Sequence, residues 1–261
     1  MHLFCYKTFM TQSLTPADKK VQGLLGKAIR EYDMISAGDR VAVAVSGGKD
    51  SMALLFMLKE RLKWVPIRYD LLAIHLDMGF KGTQPHLIER SCREMGVPFY
   101  FEKTDYGILA HGPENKENPC FLCSWLRRKH LFQLSKTLNF TKIAFGHNKD
   151  DIIETLFLNM FFSGEMSTMV PKQSLFEGRL TIIRPLALLE ESRIKGFALR
   201  MGLPEIFNPC PSAQNSSRKE IKEFLSAFYA RNRKIKGNIF HALSHCRPEY
   251  LLPPISKEKK S

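Results

Sequence analysis

Short apolar runs alternate with amphipathic stretches along this chain, the pattern of βαβ units that assemble into a parallel sheet. The runs from Arg40 to Val45, Tyr69 to Leu76, Pro98 to Glu102, Lys142 to Phe145 and Thr181 to Arg184 are each followed by turn chemistry or a helical pattern, and they read as strands. The expected fold class is α/β, a doubly wound parallel sheet. Ligands in such sheets bind beyond the carboxyl ends of the strands where the strand order reverses, so the residues just after each strand are the places to look for chemistry.

Immediately after the run Val41-Ala42-Val43-Ala44-Val45 comes Ser46-Gly47-Gly48-Lys49-Asp50-Ser51, opening the helical pattern Met52-Ala53-Leu54-Leu55-Phe56. Two glycines allow a tight turn with several backbone N–H groups aimed into one concavity, and the positive end of the helix dipole adds to the attraction for phosphate. The longer Gly-x-x-x-x-Gly-Lys-Ser/Thr frame of the Walker loop is absent. A glycine turn that binds nothing is the plain alternative, but it does not require Asp50 and Ser51. The pattern resembles the S-G-G-x-D-S loop of the PP-loop ATP pyrophosphatases, which implies ATP as a co-substrate cleaved between its α and β phosphates, with Ser46, Gly47, Gly48, Lys49, Asp50 and Ser51 around it.

Two further strand ends carry polar breaks. The second strand closes in His75-Leu76-Asp77-Met78-Gly79, which suits an adenosine pocket or a strand-end turn without a ligand. The resemblance assigns adenine and ribose contacts there, at His75, Asp77 and Met78. After the fourth strand comes Gly146-His147-Asn148-Lys149-Asp150-Asp151, then Ile152-Ile153-Glu154-Thr155. Adjacent carboxylates at a helix N-terminus are favoured by its dipole and are hard oxygen ligands suited to Mg2+ bridging ATP phosphates. Helix capping alone accounts for one of them. The whole string resembles the G-H-x-x-D-D-x-x-E-T motif of the tRNA-modifying branch of the PP-loop superfamily.

Cys120-Phe121-Leu122-Cys123 and the distant Cys210 supply thiols suited to zinc or an iron–sulfur cluster. A lone C-x-x-C also fits a redox pair, half a zinc site or two buried thiols. Cys5, Cys92 and Cys246 have no partner at useful spacing and read as ordinary thiols.

Length and charge complete the frame. The 261 residues can bury one substantial core with a small terminal addition. No run approaches the roughly 20 apolar residues of a membrane helix, so no membrane partner is expected. The start, Met1 to Lys7, lacks the charged and apolar regions of a secretory signal, and a cytoplasmic location is expected. Met10 is an alternative start that leaves residues 1–9 outside the native protein. The formal net charge of +13 favours polyanionic partners such as RNA. Basic residues crowd Arg127-Arg128-Lys129-His130 and the segment from Arg231 to Lys236, the latter near Phe224, Phe228 and Tyr229. Phosphate contact and base stacking are the functional reading, and solvated helix faces the plain one.

Together, the loop at Ser46, Cys120-x-x-Cys123, the string from Gly146, Arg184-Pro185-Leu186 and Cys210 resemble the tRNA 2-thiocytidine synthetases, from about Lys27 to Cys246. The resemblance implies a PP-loop catalytic domain over 27–212, preceded by an extension and helix (1–26) and followed by a short helical basic segment (213–261). It also implies a [4Fe-4S] cluster on Cys120, Cys123 and Cys210. Members commonly carry another Cys three positions after the distal one. Ala213 stands there instead, which argues against a four-cysteine zinc site. The implied reaction adenylates O2 of an anticodon-loop cytidine, at position 32, and replaces it with sulfur. Lys49, Asp50, Asp150 and Asp151 are expected to be catalytic, and Gly146 and His147 to contact the nucleotide. The implied partners are tRNA and a sulfur donor such as a cysteine desulfurase or sulfide, with a homodimer as a further expectation. A lysidine-synthetase-like ligase would share the loop but not need the three cysteines, and a non-catalytic metal-bearing RNA-binding module would not need an intact ATP loop.

Overall fold

The computed structural model describes residues 14–252 except 117, 208 and 214–216, together with the side chain of 213. The alternative start at Met10 lies outside the described residues. The strands are β1 (Arg40–Ala44), β2 (Asp70–Asp77), β3 (Phe99–Lys103), β4 (Lys142–Ala144), β5 (Lys172–Leu175) and β6 (Leu180–Ile183). They form one sheet in the order β3-β2-β1-β4-β6-β5. All neighbours are parallel except the β5–β6 pair. The chain runs outward from β1 through β2 to β3 and then returns to pair β4 on the other side of β1. The order therefore reverses between β1 and β4, where a ligand crevice opens in folds of this class.

Side chains of the central strands alternate between the two faces of the sheet, and both faces are buried. Val41 and Val43 of β1 enter one core with α1 (Pro16–Glu31), α2 (Lys49–Arg61) and α7 (Glu191–Arg200), built around Leu25, Met52, Leu55 and Phe197. Ala42 points to the opposite core, with Ile74, Ile143 and Ile182 against Leu131 and Leu134 of α5 (Pro119–Thr137). Helices on both faces make the sheet doubly wound, as the alternation of runs predicts.

Three local features add to the sequence reading. The boundary expected at residue 27 falls inside α1, whose Val21, Leu25, Ala28 and Ile29 are part of the main core. The edge strand β5, Lys-Gln-Ser-Leu, is too short and polar to show as an apolar run, and its hairpin turns through Phe176 and Glu177 at positive φ. The C-terminal segment is helical as expected, with α8 (Ser217–Arg231) and α9 (Lys234–Ala242). Ile221 and Leu225 of α8 pack on Ile153 of α6 (Lys149–Leu158).

Candidate functional site

The loop after β1 owes its shape to glycine and serine. Gly47 sits at φ +84°, and a Cβ there would lie 3.0 Å from Ile206 Cβ. Its carbonyl accepts the Ile206 N–H at 3.0 Å. Ser46 N–H donates to Ser51 Oγ (3.1 Å), and Ser51 Oγ donates to the Gly48 carbonyl (3.0 Å). Both serines thus brace the loop. Gly48 is the N-cap of α2 with no side-chain cap, so the first turn of α2 has backbone donors for an anion. Lys49 ion-pairs with Glu205 at the mouth of the site.

Gly146 after β4 is required by close approach. A Cβ on it would stand 2.9 Å from Ser51 N and 3.1 Å from the Asp50 carbonyl carbon. This contact sets the N-termini of α2 and α6 against each other. Asn148 ties them: its Oδ1 accepts from the N–H groups of Asp150 and Asp151, and its Nδ2 donates to Asp50 Oδ2 at 3.0 Å.

The adjacent aspartates are split by helical geometry. Asp151 lines the cavity with Asp50, while its carboxylate also completes the capping box by accepting Asn148 N–H at 2.9 Å. Asp150 turns away, accepting from Lys236 Nζ of α9 (2.6 Å) and from Glu191 N–H (2.9 Å). Burial, with Asp151 and Glu191 nearby, pushes Asp50 up to about 6. Burial also raises Asp151, and it pushes Glu154 up to about 7 with Asp151 contributing. Burial thus raises three carboxyls around the junction of α2 and α6, of which Asp50 and Asp151 line the cavity while Glu154 accepts from Arg218.

One cavity of about 580 Å³ joins this junction to the cysteines. His75 and Asp77 line it, but their polar atoms are engaged at the ends of β1 and β2. His75 Nδ1 donates to the Val45 carbonyl (2.8 Å), and Asp77 accepts from Gly79 N–H (2.7 Å) and Thr83 Oγ1 (2.6 Å). They shape this wall of the cavity. Met78 links that wall to the thiols, its sulfur 3.7 Å from Cys123 Sγ.

Cys120, Cys123 and Cys210 all line the cavity. Asn118 caps α5 by accepting from Cys120 N–H, and positions 120 and 123 then share a face of the helix. Among the described residues, no three His, Cys, Asp or Glu side chains stand close enough together to hold a metal ion. The structure gathers the three thiols on one wall but does not bring them to ligating distance. Burial raises the Cys123 thiol, with Arg127 opposing and the Cys210 and Cys120 thiols adding to the rise. Three soft donors beside a cation on one wall fit a thiolate-bound group in donor chemistry. Cys92, by contrast, is buried in the main core and pushed up to about 12 by burial, as an ordinary thiol should be.

A model of the PP-loop domain matches residues 16–226. A tRNA-cytidine(32) 2-sulfurtransferase from Citrifermentans bemidjiense is 39% identical over 236 residues, covering 89% of this chain and 92% of that protein. One from Anaeromyxobacter dehalogenans is 38% identical over 243 residues, covering 92% and 84%. The chain belongs to the tRNA-cytidine(32) 2-sulfurtransferase family of PP-loop proteins. Its fold is shared with the U34-tRNA thiolase NcsA from Methanococcus maripaludis, solved with its [4Fe-4S] cluster, at TM-score 0.74 and 23% identity over 92% of this chain and 81% of that one.

Within this family member, sequence reasoning missed several groups at the site. Glu191 and Lys195 of α7 line the cavity, as does Glu205. They sit on a helix and a loop without any motif, so only the fold brings them in. Lys236 belongs by sequence to the basic segment expected to face RNA, whereas its ammonium is directed inward to Asp150 and Glu190.

Proposed function

We propose that this protein is an ATP-dependent tRNA sulfurtransferase that converts an anticodon-loop cytidine, position 32, to 2-thiocytidine with release of AMP and pyrophosphate. The observation that carries the reading is the single cavity, with the Gly47–Gly48 loop and Asp50 at one end and the three thiols at the other. The kinship with sulfurtransferases supports the substrate.

The chemistry needs a better leaving group at C2 than oxide. Cytidine O2 attacks the α-phosphorus of ATP, and pyrophosphate departs. A sulfur nucleophile then adds at C2, and AMP leaves with the former O2. Backbone donors around Gly48 and the Lys49 ammonium hold the leaving pyrophosphate, with Lys49 exchanging Glu205 for phosphate oxygens. Asp50 and Asp151 would hold Mg2+, which would supply charge neutralisation on the phosphates. Asp150 braces α6 against α7 and α9. Gly146 acts by permitting the approach of α6 to α2. Burial, with Arg184, Arg127 and other cations adding, pushes His147 down to about 3 and holds its imidazole neutral.

Cys120, Cys123 and Cys210 would hold a [4Fe-4S] cluster through three irons. When bound, such a cluster supplies an iron site open to a sulfur ligand derived from sulfide or a persulfide donor. Ala213, in place of a fourth cysteine, agrees with three-point ligation. The test is elemental: protein purified without oxygen should contain near-equal iron and acid-labile sulfide, lost in Cys120→Ala, Cys123→Ala and Cys210→Ala. Stoichiometric zinc without sulfide would overturn the cluster assignment and leave a zinc-containing adenylating enzyme.

A further inference from the structure

Beyond the thiols, three arginines without counterions stand at and behind the cavity wall; Arg127 lines the cavity, and Arg184 and Arg128 lie next to the lining residues. Helix α5 presents Cys120, Cys123, Ser124, Arg127 and Leu131 to the cavity, a stripe at three- and four-residue spacing. Arg127 therefore lies one turn beyond Cys123. Arg184 follows the carboxyl end of β6 beside β4, which leads into His147, a residue that lines the cavity. Arg184 is 7% exposed, and its Nη1 donates to the Val170 carbonyl. Arg128 completes the group from the exposed side of α5, its Nε donating to the Ser124 carbonyl at 3.2 Å.

Among the described residues, none of these three guanidinium groups has a carboxylate within salt-bridge distance. Arg127 Nε, Arg184 Nε and His147 Nδ1 are all buried without a hydrogen-bond partner. An unpartnered buried donor costs about 1–3 kcal/mol, more when it is charged. Two such donors and an orphaned imidazole nitrogen at one spot call for an acceptor from outside the chain. Burial pushes His147 down, and Arg184, Arg127, Arg218 and Arg128 push it further, as expected if all four surround it.

We propose that Arg127, Arg128 and Arg184 form the seat for a backbone phosphate of the substrate RNA next to the nucleotide being modified. This rests on the tRNA-thiolation reading. The seat proposed above for the ATP phosphates is a separate one, at the Gly48 loop and the first turn of α2. RNA is favoured because the outer face of α5 adds exposed aromatic rings, Phe121 and Trp125, beside Arg128, with Lys129 Nζ 5.1 Å from the Trp125 ring centre. Rings and cations together suit an unpaired loop whose bases stack while its phosphates are held. Seating the phosphate there leaves the attached base free to enter between the Gly48 loop and Cys123.

The test uses full-length, anaerobically purified protein and an anticodon stem-loop RNA containing the target cytidine. Arg127→Gln and Arg184→Gln should each weaken RNA binding roughly tenfold, and the slope of log affinity against log salt should fall by about 0.7 for each phosphate no longer neutralised. A methylphosphonate at the phosphate flanking the cytidine should weaken wild-type binding similarly and add little in the Arg127→Gln variant. Arg128→Gln, exposed and benign for folding, provides the same readout should the buried Arg184 substitution fail to fold. Binding and salt slope unchanged in Arg127→Gln and Arg128→Gln would overturn the inference while wild-type thiolation stands. Loss of ATP affinity, or of iron and sulfide, with RNA binding retained would overturn it too, by assigning the arginines to the nucleotide or to the thiol wall. Wild-type protein that neither binds nor thiolates tRNA would overturn the functional reading as well.

Discussion

Asp50 is the residue at which function and stability oppose each other. Its carboxyl is pushed up to about 6 by burial and by Asp151 and Glu191, against an ordinary 3.8. The folded state thus binds more protons than the unfolded state between about pH 4 and pH 6. Without metal, Asp50 destabilises the fold progressively as pH rises through that window, and Glu154, pushed up to about 7, extends the loss upward. Asp50→Asn should raise the thermal stability of the ligand-free protein at pH 7.5 by on the order of 1–2 kcal/mol and abolish AMP formation. A stability unchanged or lowered at that pH would contradict the electrostatic explanation. Asp151→Asn should reduce nucleotide-dependent Mg2+ affinity far more than Asp150→Asn, measured by calorimetry, because Asp151 alone of the two lines the cavity. Among single residues the sequence was informative wherever a residue type was forced: Gly47 by its positive φ, Gly146 by the backbone it meets. It was silent on direction. Asp150 and Asp151 are equivalent letters until the 100° step along a helix turns one to the cavity and the other to Lys236.

The α8–α9 element is anchored on α6 and α7 through charge. Arg218 donates to Glu154 at 3.2 Å, Lys222 pairs with Glu191 at 2.6 Å, and Lys236 pairs with Asp150 at 2.6 Å. Removing one partner of a pair as covered as Lys236 and Asp150 leaves an unpaired charge and costs about 3 kcal/mol or more. Lys236→Met should therefore lower the unfolding midpoint and speed hydrogen exchange in α9, and the double variant Lys236→Met/Asp150→Asn should recover much of the loss. Additive losses would deny the pair. Strands β1, β2, β4 and β6 were legible because buried central strands read as continuous apolar runs, and the edge strand β3 through its aromatic run Phe99-Tyr100-Phe101. Strand β5 was not, since a short polar edge strand resembles a loop. The docking of the basic C-terminal segment was equally hidden, because a run of cations looks the same whether it meets solvent, RNA or the protein's own carboxylates.

The whole molecule carries a net charge of +13, and part of it is already engaged internally at Arg218, Lys222 and Lys236. Among the described residues no helix is long and apolar enough to cross a membrane. Arg231, packed over Phe228 at 5.6 Å, stands with Arg233 and Lys234 on the exposed side of the α8–α9 turn. Neutralising these three together should weaken tRNA binding and flatten its salt dependence, whereas Lys236→Met should leave the slope unchanged. Equal slopes in all variants would remove the turn from the RNA surface. What the fold achieves as a whole, on this reading, is to couple ATP cleavage to sulfur insertion within one cavity. The decisive experiment incubates the anaerobic protein with unmodified tRNA, Mg2+·ATP and sulfide, and then counts products. Coupling predicts 2-thiocytidine at position 32 and AMP in equal amounts, with 2-thiocytidine absent from Cys123→Ala. AMP formed with a different adduct on the cytidine, or 2-thiocytidine made at full yield by Cys123→Ala, would refute it.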